Sequence, residues 1–365
     1  MSILEQRYRW VLRLLPAAYR AEREEEMVTA FLEGARRGKA GMDDQRPRWM
    51  EIASVATLAL RLRLGGPGEP PRSFLWGEAV RRAAVLGLVF WTTVGCLSAT
   101  LTLYTYGILA EGPPDGLTMG IGDPGSPERL RHVLADLAPL LWAASLGALV
   151  LGRPLTAKAA AVAALVVPYV LVPPALSVGG WEIAVRWACT LFPAAVTALA
   201  LMIGFHRDAP PPRLSRGRAL GMVALPAAVG ILLSLVVGVL DSLTRAGTVP
   251  MRLLMQVLMW VDMPGLACVA LTTVTVWCVA GRRTSRRSSA PVALAAAILT
   301  VPVVLARTAI LHPGATDSIT GIINLVGCVQ LGLLLMSGMT LVVMGARALR
   351  TATDGDLTEL RGQHG

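Results

Sequence analysis

A helix that crosses the hydrocarbon of a bilayer needs about 20 consecutive, mostly apolar residues. Eight segments of this 365-residue chain meet that requirement: Ala83–Ala110, Leu134–Leu151, Ala159–Val178, Ile183–Phe205, Ala219–Leu240, Leu253–Ala280, Pro291–Leu311 and Thr320–Ala346. The second is the weakest, because Asp136 and Pro139 stand at its start. The spacing predicts an all-α, polytopic helical membrane protein with an eight-span domain over residues 83–346. A helical module at 1–64 and a linker and pre-membrane helix at 65–82 precede it, and a tail at 347–365 follows.

Basic residues in short loops set orientation, since Lys and Arg accumulate on the cytoplasmic side. With the N-terminal module inside, the inner loops and tail hold thirteen: Arg153, Lys158, Arg207, Arg213, Arg216, Arg218, Arg282, Arg283, Arg286, Arg287, Arg347, Arg350 and Arg361. The outer loops hold four: Arg129, Arg131, Arg245 and Arg252. This bias predicts both termini in the cytoplasm of a bacterial cell, with the chain in the plasma membrane. No secretory signal peptide is expected, because the first 15 residues carry charges throughout and lack an apolar core.

The net charge of +10 does not point to nucleic acid, whose binders gather basic residues on a soluble face. Here much of the excess falls in predicted cytoplasmic loops, where anionic lipid is the nearest partner. The cysteines, Cys96, Cys189, Cys268, Cys278 and Cys328, all fall in predicted spans without a CxxC pair, and read as small packing residues. His132, His206, His312 and His364 lack metal-ligand spacing. No GxxxxGK[ST] phosphate loop is present, and Ser145 lacks the flanks of a nucleophile elbow. No catalytic residue, metal or cofactor is therefore expected, and the chain does not read as an enzyme.

The first 82 residues read as three short helices and a linker. Leu4, Tyr8, Val11, Leu12 and Leu15 share one helical face, and Pro16 interrupts it. A second helix is expected from about Ala21 to Arg36, its acidic start (Glu22 and Glu24 to Glu26) placed at the positive end of the helix dipole. Pro47 is suited to open a third helix, running to about Leu64. That helix is too short to span. It either completes a three-helix core or lies on the membrane, and the core is the favoured reading. Gly65–Arg72 is a stiff linker.

The stretch Arg7–Ala35, RYRWVLRLLPAAYRAEREEEMVTAFLEGA, with Leu14, Pro16, Tyr19, Arg20, Glu25, Glu26, Met27, Phe31 and Leu32 in pattern, resembles the short N-terminal module of uncharacterised actinobacterial integral membrane proteins. Similar modules precede some permeases. Others are accessory signalling domains associated with helix-turn-helix regulators of the PadR type. The resemblance covers roughly the first 80 residues and carries over no catalytic residue. It implies a cytoplasmic partner for the module.

Charge in hydrocarbon is costly, so ionisable residues within spans are the first site candidates. Asp262, Arg186 and Arg307 qualify, all in the outer half of the membrane by this topology. Asp241 and Glu182 sit at the outer boundary. Asp262 cannot reach the interface on its short side chain and needs a partner, for which Arg186 and Arg307 are at suitable depth. The set reads either as a polar site or as a lock between helices with the arginines reaching outward. Asp262-Met263-Pro264-Gly265 places the acid beside an expected kink. Gly230, Ser234, Gly238 and Ser242 recur every four residues on span five. That is a packing seam, either inside the bundle or at a homo-oligomer contact.

Two functions fit these features. One is a membrane-anchored regulatory or sensory protein whose N-terminal module binds a cytoplasmic regulator. The other is a transporter, or a membrane subunit that depends on a separate ATPase. The loops Gly152–Lys158 and Gly281–Ser289 are too short for a coupling helix that would dock an ATPase, which favours regulation.

Overall fold

The structure, a computed structural model, describes residues 3–15, 17–37, 49–63, 71–107, 125–172, 176–205, 216–281, 286–311 and 318–362. Among them no strand occurs. Two compact units separate: residues 79–348, and residues 1–78 together with 349–365.

In the smaller unit, α1 (Ile3–Leu12), α2 (Ala17–Arg37) and α3 (Trp49–Arg63) share one apolar centre. Tyr8, Val11, Leu12 and Leu15 meet Val28 of α2 and Val55 and Ala59 of α3. The Tyr8 and Phe31 rings stack with centroids 3.9 Å apart. Thus α3 contributes its apolar face to a core with the other two. Pro47 and the loop around it lie outside the described residues, as does Gly65–Pro70.

One expectation for α2 is overturned. It begins at Ala17, so Glu22 and Glu24–Glu26 lie beyond its first turn and none of its first-turn residues is acidic. Their role is a different one. Arg9 of α1 donates from Nη1 and Nη2 to the two carboxylate oxygens of Glu25, at 2.8 and 3.0 Å, and reaches Glu24 and Glu5 at 3.3 Å. A forked guanidinium matches a carboxylate in this way.

The larger unit holds the apolar helices. α4 (Pro71–Thr105) is followed by α5 (Pro127–Leu137), a 3-10 turn at Ala138–Leu140, α6 (Leu141–Val150), α7 (Pro154–Leu171), α8 (Leu176–Gly204) and α9 (Arg216–Arg245). α10 (Met251–Val261), α11 (Met263–Ala280), α12 (Arg286–Ile310) and α13 (Ser318–Gly362) complete the chain. Seven helices among the described residues are long and apolar enough to cross a membrane, counting α5 to α6 as one. This is the architecture of a polytopic helical membrane protein. The fourth expected span, Ile183–Phe205, falls in α8. Its apolar stretch with described side chains, Leu191–Gly204, is shorter than a span.

Several boundaries differ from expectation for identifiable reasons. The first span stops at Thr105 rather than Ala110, and Gly107 follows with φ of 70°, a conformation that costs glycine little. The weak second span carries its 3-10 turn at Pro139, which has no N–H to continue the α pattern. Residues expected to link spans three and four are helical, because α8 already begins at Leu176. The last span continues well past Ala346, and α13 runs to Gly362 through most of the expected tail.

Small residues let the helices approach. Ala157, Ala161 and Ala164 of α7 are buried against α6, and Ser145 Oγ donates to Ala157 O at 2.8 Å. On α4, a Cβ at Gly87 would strike Thr197 of α8, and one at Gly95 would strike the Pro139 carbonyl. Several hydroxyls in the apolar helices are satisfied within their own turn, as Thr92 to Leu88 O and Thr275 to Leu271 O show. That arrangement keeps these donors satisfied inside the apolar helices. Large apolar side chains such as Leu225, Leu232, Met336 and Met339 point outward from α9 and α13, as a lipid-facing surface requires.

The order of helix ends is regular. Arg81 near the start of α4 lies against Gly204 at the end of α8, and Lys158 at the start of α7 donates to Met202 O near that same end. At the opposite end of α4, Tyr104 accepts from Arg245 at the end of α9. These contacts place alternate loops on opposite sides, as antiparallel spans demand.

Candidate functional site: an ion pair at a broken helix

The sixth expected span is not one helix. Residues 253–280 divide at Asp262 into α10 and α11, which corrects the single span read from hydropathy. Asp262 adopts φ −62° and ψ 164°, an extended residue between two helices. The sequence explains the break. Pro264 cannot donate into the preceding turn and suits the first turn of a new helix, and Asp is a favoured N-cap. Asp262 Oδ1 accepts from Gly265 N at 2.7 Å. Gly265 is required there, because a Cβ would run into the Met259 carbonyl and the Asp262 carboxylate.

The second carboxylate oxygen turns to α12. Asp262 Oδ2 accepts from Arg307 Nη1 at 3.1 Å. The Arg307 side chain is fully buried, while that of Asp262 is 29% exposed. The cation is therefore enclosed and the carboxylate is the reachable end of the pair. Arg307 holds the α10–α11 junction to α12 by a charged hydrogen bond, inside a bundle with apolar neighbours.

α13 closes the other side of the guanidinium. A Cβ at Gly327 would sit 3.3 Å from Arg307 Nη2 and 3.4 Å from Nε, and 2.6 Å from the Leu311 side chain. Only a glycine lets the α13 backbone come so near. One turn further, fully buried Gln330 donates from Nε2 to Met259 O at 2.7 Å. The carbonyl of Gln330 faces Cys268 Sγ on α11 at 3.6 Å. Among the described residues, Arg307 Nε and Nη2 and Gln330 Oε1 have no hydrogen-bond partner. Each such buried group carries a desolvation cost of about 1–3 kcal/mol, more when charged. Four helices thus converge on one polar cluster whose bonding capacity is only partly used.

Of the residues expected from sequence, the structure brings together Asp262 and Arg307. The side chains of Arg186 and Glu182 lie outside the described residues. Asp241 is engaged on its own helix, pairing with Arg245 four residues on. The small-residue stripe on α9 divides. A Cβ at Gly230 would collide with the Thr93 carbonyl and stand 3.0 Å from Cys96 Cβ and Leu97 N on α4, so Gly230 is a true close approach. Ser234 is buried beside it and donates to Ile231 O at 2.6 Å. Gly238 faces open space and Ser242 is exposed, so the seam within this chain ends at Ser234.

Gln330 and Gly327 escaped the sequence reading. The available signal was an amide within an apolar span, three residues after a glycine. Among the described residues no group of three His, Cys, Asp or Glu side chains could hold a metal ion. Searches against family models, curated proteins and solved structures found no match for this chain.

Proposed function

We propose that this is a membrane-anchored regulatory or sensory protein of the bacterial plasma membrane. It has eight spans and both termini in the cytoplasm. The N-terminal three-helix module binds a cytoplasmic regulator, and the membrane domain carries the input to it. The observation that carries this reading is the Asp262–Arg307 pair at the junction of α10 and α11. A charged hydrogen bond across a helix break is an element with two states, made and broken. Its carboxylate is exposed enough to exchange a proton or meet a ligand. Charged loops rich in arginine suit anionic headgroups on the cytoplasmic side.

The module supports the reading by having its own apolar centre, which leaves most of its outer faces for partners. Deleting residues 1–70 should leave membrane insertion intact, because the later apolar helices drive insertion. It should also abolish crosslinking of the cytoplasmic regulator to the chain in native membranes. Failure of the truncated chain to insert, with synthesis unchanged, would contradict the proposal.

A second reading is favoured by the break itself. Discontinuous helices beside charged residues line the substrate sites of secondary transporters, and α10–α11 has that form. Solute flux in reconstituted vesicles that disappears in Asp262→Asn, with the module deleted and irrelevant to flux, would select transport over regulation.

A further inference from the structure

The smaller unit presents a face whose composition is unlike that of a soluble helical module. α1 buries Tyr8, Val11 and Leu12 against α2 and α3. On its opposite side, Ile3, Arg7, Trp10 and Leu14 fall at intervals that align them along the helix, and Gln6 and Arg13 flank the row. All six are exposed: Trp10 by 69%, Ile3 by 54% and Leu14 by 41%. The turn that carries Leu14 continues the helical path, with Leu14 N donating to Val11 O at 3.0 Å.

No carboxylate stands in this row. Glu5, the acid of α1, is drawn to the flank by Arg9, which also gathers Glu24 and Glu25 of α2. Three acids of the module therefore gather at Arg9, while Ile3, Trp10, Leu14 and two arginines are exposed on the outer side of α1. An indole, two aliphatic side chains and flanking guanidiniums match the depth profile of a bilayer surface. Tryptophan settles at the headgroup level. Arginine stems cover apolar surface while their heads reach phosphate. The charges interleaved with the apolar row, Arg7 and Arg13, are both positive, so the surface that complements it is an anionic one.

We infer that this face of α1 docks on an anionic lipid surface, as an in-plane amphipathic helix does. The charge complementarity is with phosphatidylglycerol-like headgroups. This inference does not depend on the function proposed above, because a lipid-docked module could serve a sensor or a transporter equally.

The test uses the full chain with its native cysteines replaced, reconstituted in lipid nanodiscs. An environment-sensitive fluorophore is attached at Trp10→Cys, at Leu14→Cys, or at Thr29→Cys on the exposed side of α2. Discs contain phosphatidylcholine with or without phosphatidylglycerol. Labels at positions 10 and 14 should shift to the blue and be quenched several-fold more by brominated lipid than the label at 29, in the anionic discs. Arg7→Glu with Arg13→Glu should reverse that shift while the far-ultraviolet helical signal is retained. Labels at 10 and 14 as wet as the label at 29 would overturn the proposal. So would equal shielding in neutral discs, and so would shielding that appears only when cytosolic protein is added.

Discussion

Arg9 and Arg307 do the same chemistry in two different solvents. Arg9 spreads its donors over three carboxylates, at a water-exposed junction between α1 and α2. Arg307 has one carboxylate and lies fully buried among apolar helices. At the first site water screens every charge, and the loss of one partner leaves others in place. At the second the guanidinium has no solvent to substitute, so removing its carboxylate strands a buried charge. The same ion pair is thus an accessory in one unit and a structural commitment in the other. That contrast locates where a change in one proton or one ligand would be felt by the fold.

The strongest break in this comparison is Arg307→Met alone. It leaves the Asp262 carboxylate without its cation and should cost about 3–5 kcal/mol. The check is a large drop in thermal midpoint in detergent, with helical content before unfolding unchanged. Gly265→Ala should come next. The new methyl meets the Met259 carbonyl, and relieving it moves the α10–α11 junction, so a loss of about 1–3 kcal/mol is expected. Gly230→Ala should fall in a similar range by separating α9 from α4 at Thr93, whereas Gly238→Ala should be nearly silent. Equal effects at the two glycines would show that Gly238 is covered, and would restore the longer seam.

The smallest effect is expected in the module. The Arg9 guanidinium holds the Glu25 carboxyl below its ordinary value. A carboxyl depressed in the folded state contributes stability that is present above the unfolded value and lost as pH falls through the folded one. Helical content of the module should therefore decline modestly in acid, and Arg9→Met should remove that part of the pH dependence. Added salt should weaken the effect, since exposed pairs are screened. A strong acid transition that persists in Arg9→Met would assign it to other groups.

Sequence length and hydropathy made the helical membrane architecture legible, because hydrocarbon imposes one requirement on every span. They also marked Asp262 and Arg307, since ionisable residues stand out against apolar runs, and Pro264 marked the place of the break. What they could not supply was pairing. Depth along a helix says nothing about its rotation or its neighbours, so Arg186 and Arg307 were equal partners on sequence. Gln330 is neutral and raised no alarm, and Gly327 matters only through what lies across from it. The acids of α2 were misassigned because the helix starts four residues earlier than the charge pattern implied. Gly238 shared a periodicity with Gly230 but not a neighbour.

The central claim, that Asp262 and Arg307 form one coupled unit within the apolar bundle, is tested most directly by a double-mutant cycle. The variants are Asp262→Asn, Arg307→Met and the two combined, with thermal stability measured in a common lipid nanodisc. Asparagine retains the cap on Gly265 N, so the cycle isolates the charge. If the pair is coupled, each single change destabilises strongly and the double recovers most of the loss, because no unpaired charge remains. If the losses simply add, the two residues are independent, and the ion pair does not hold α12 to the break between α10 and α11.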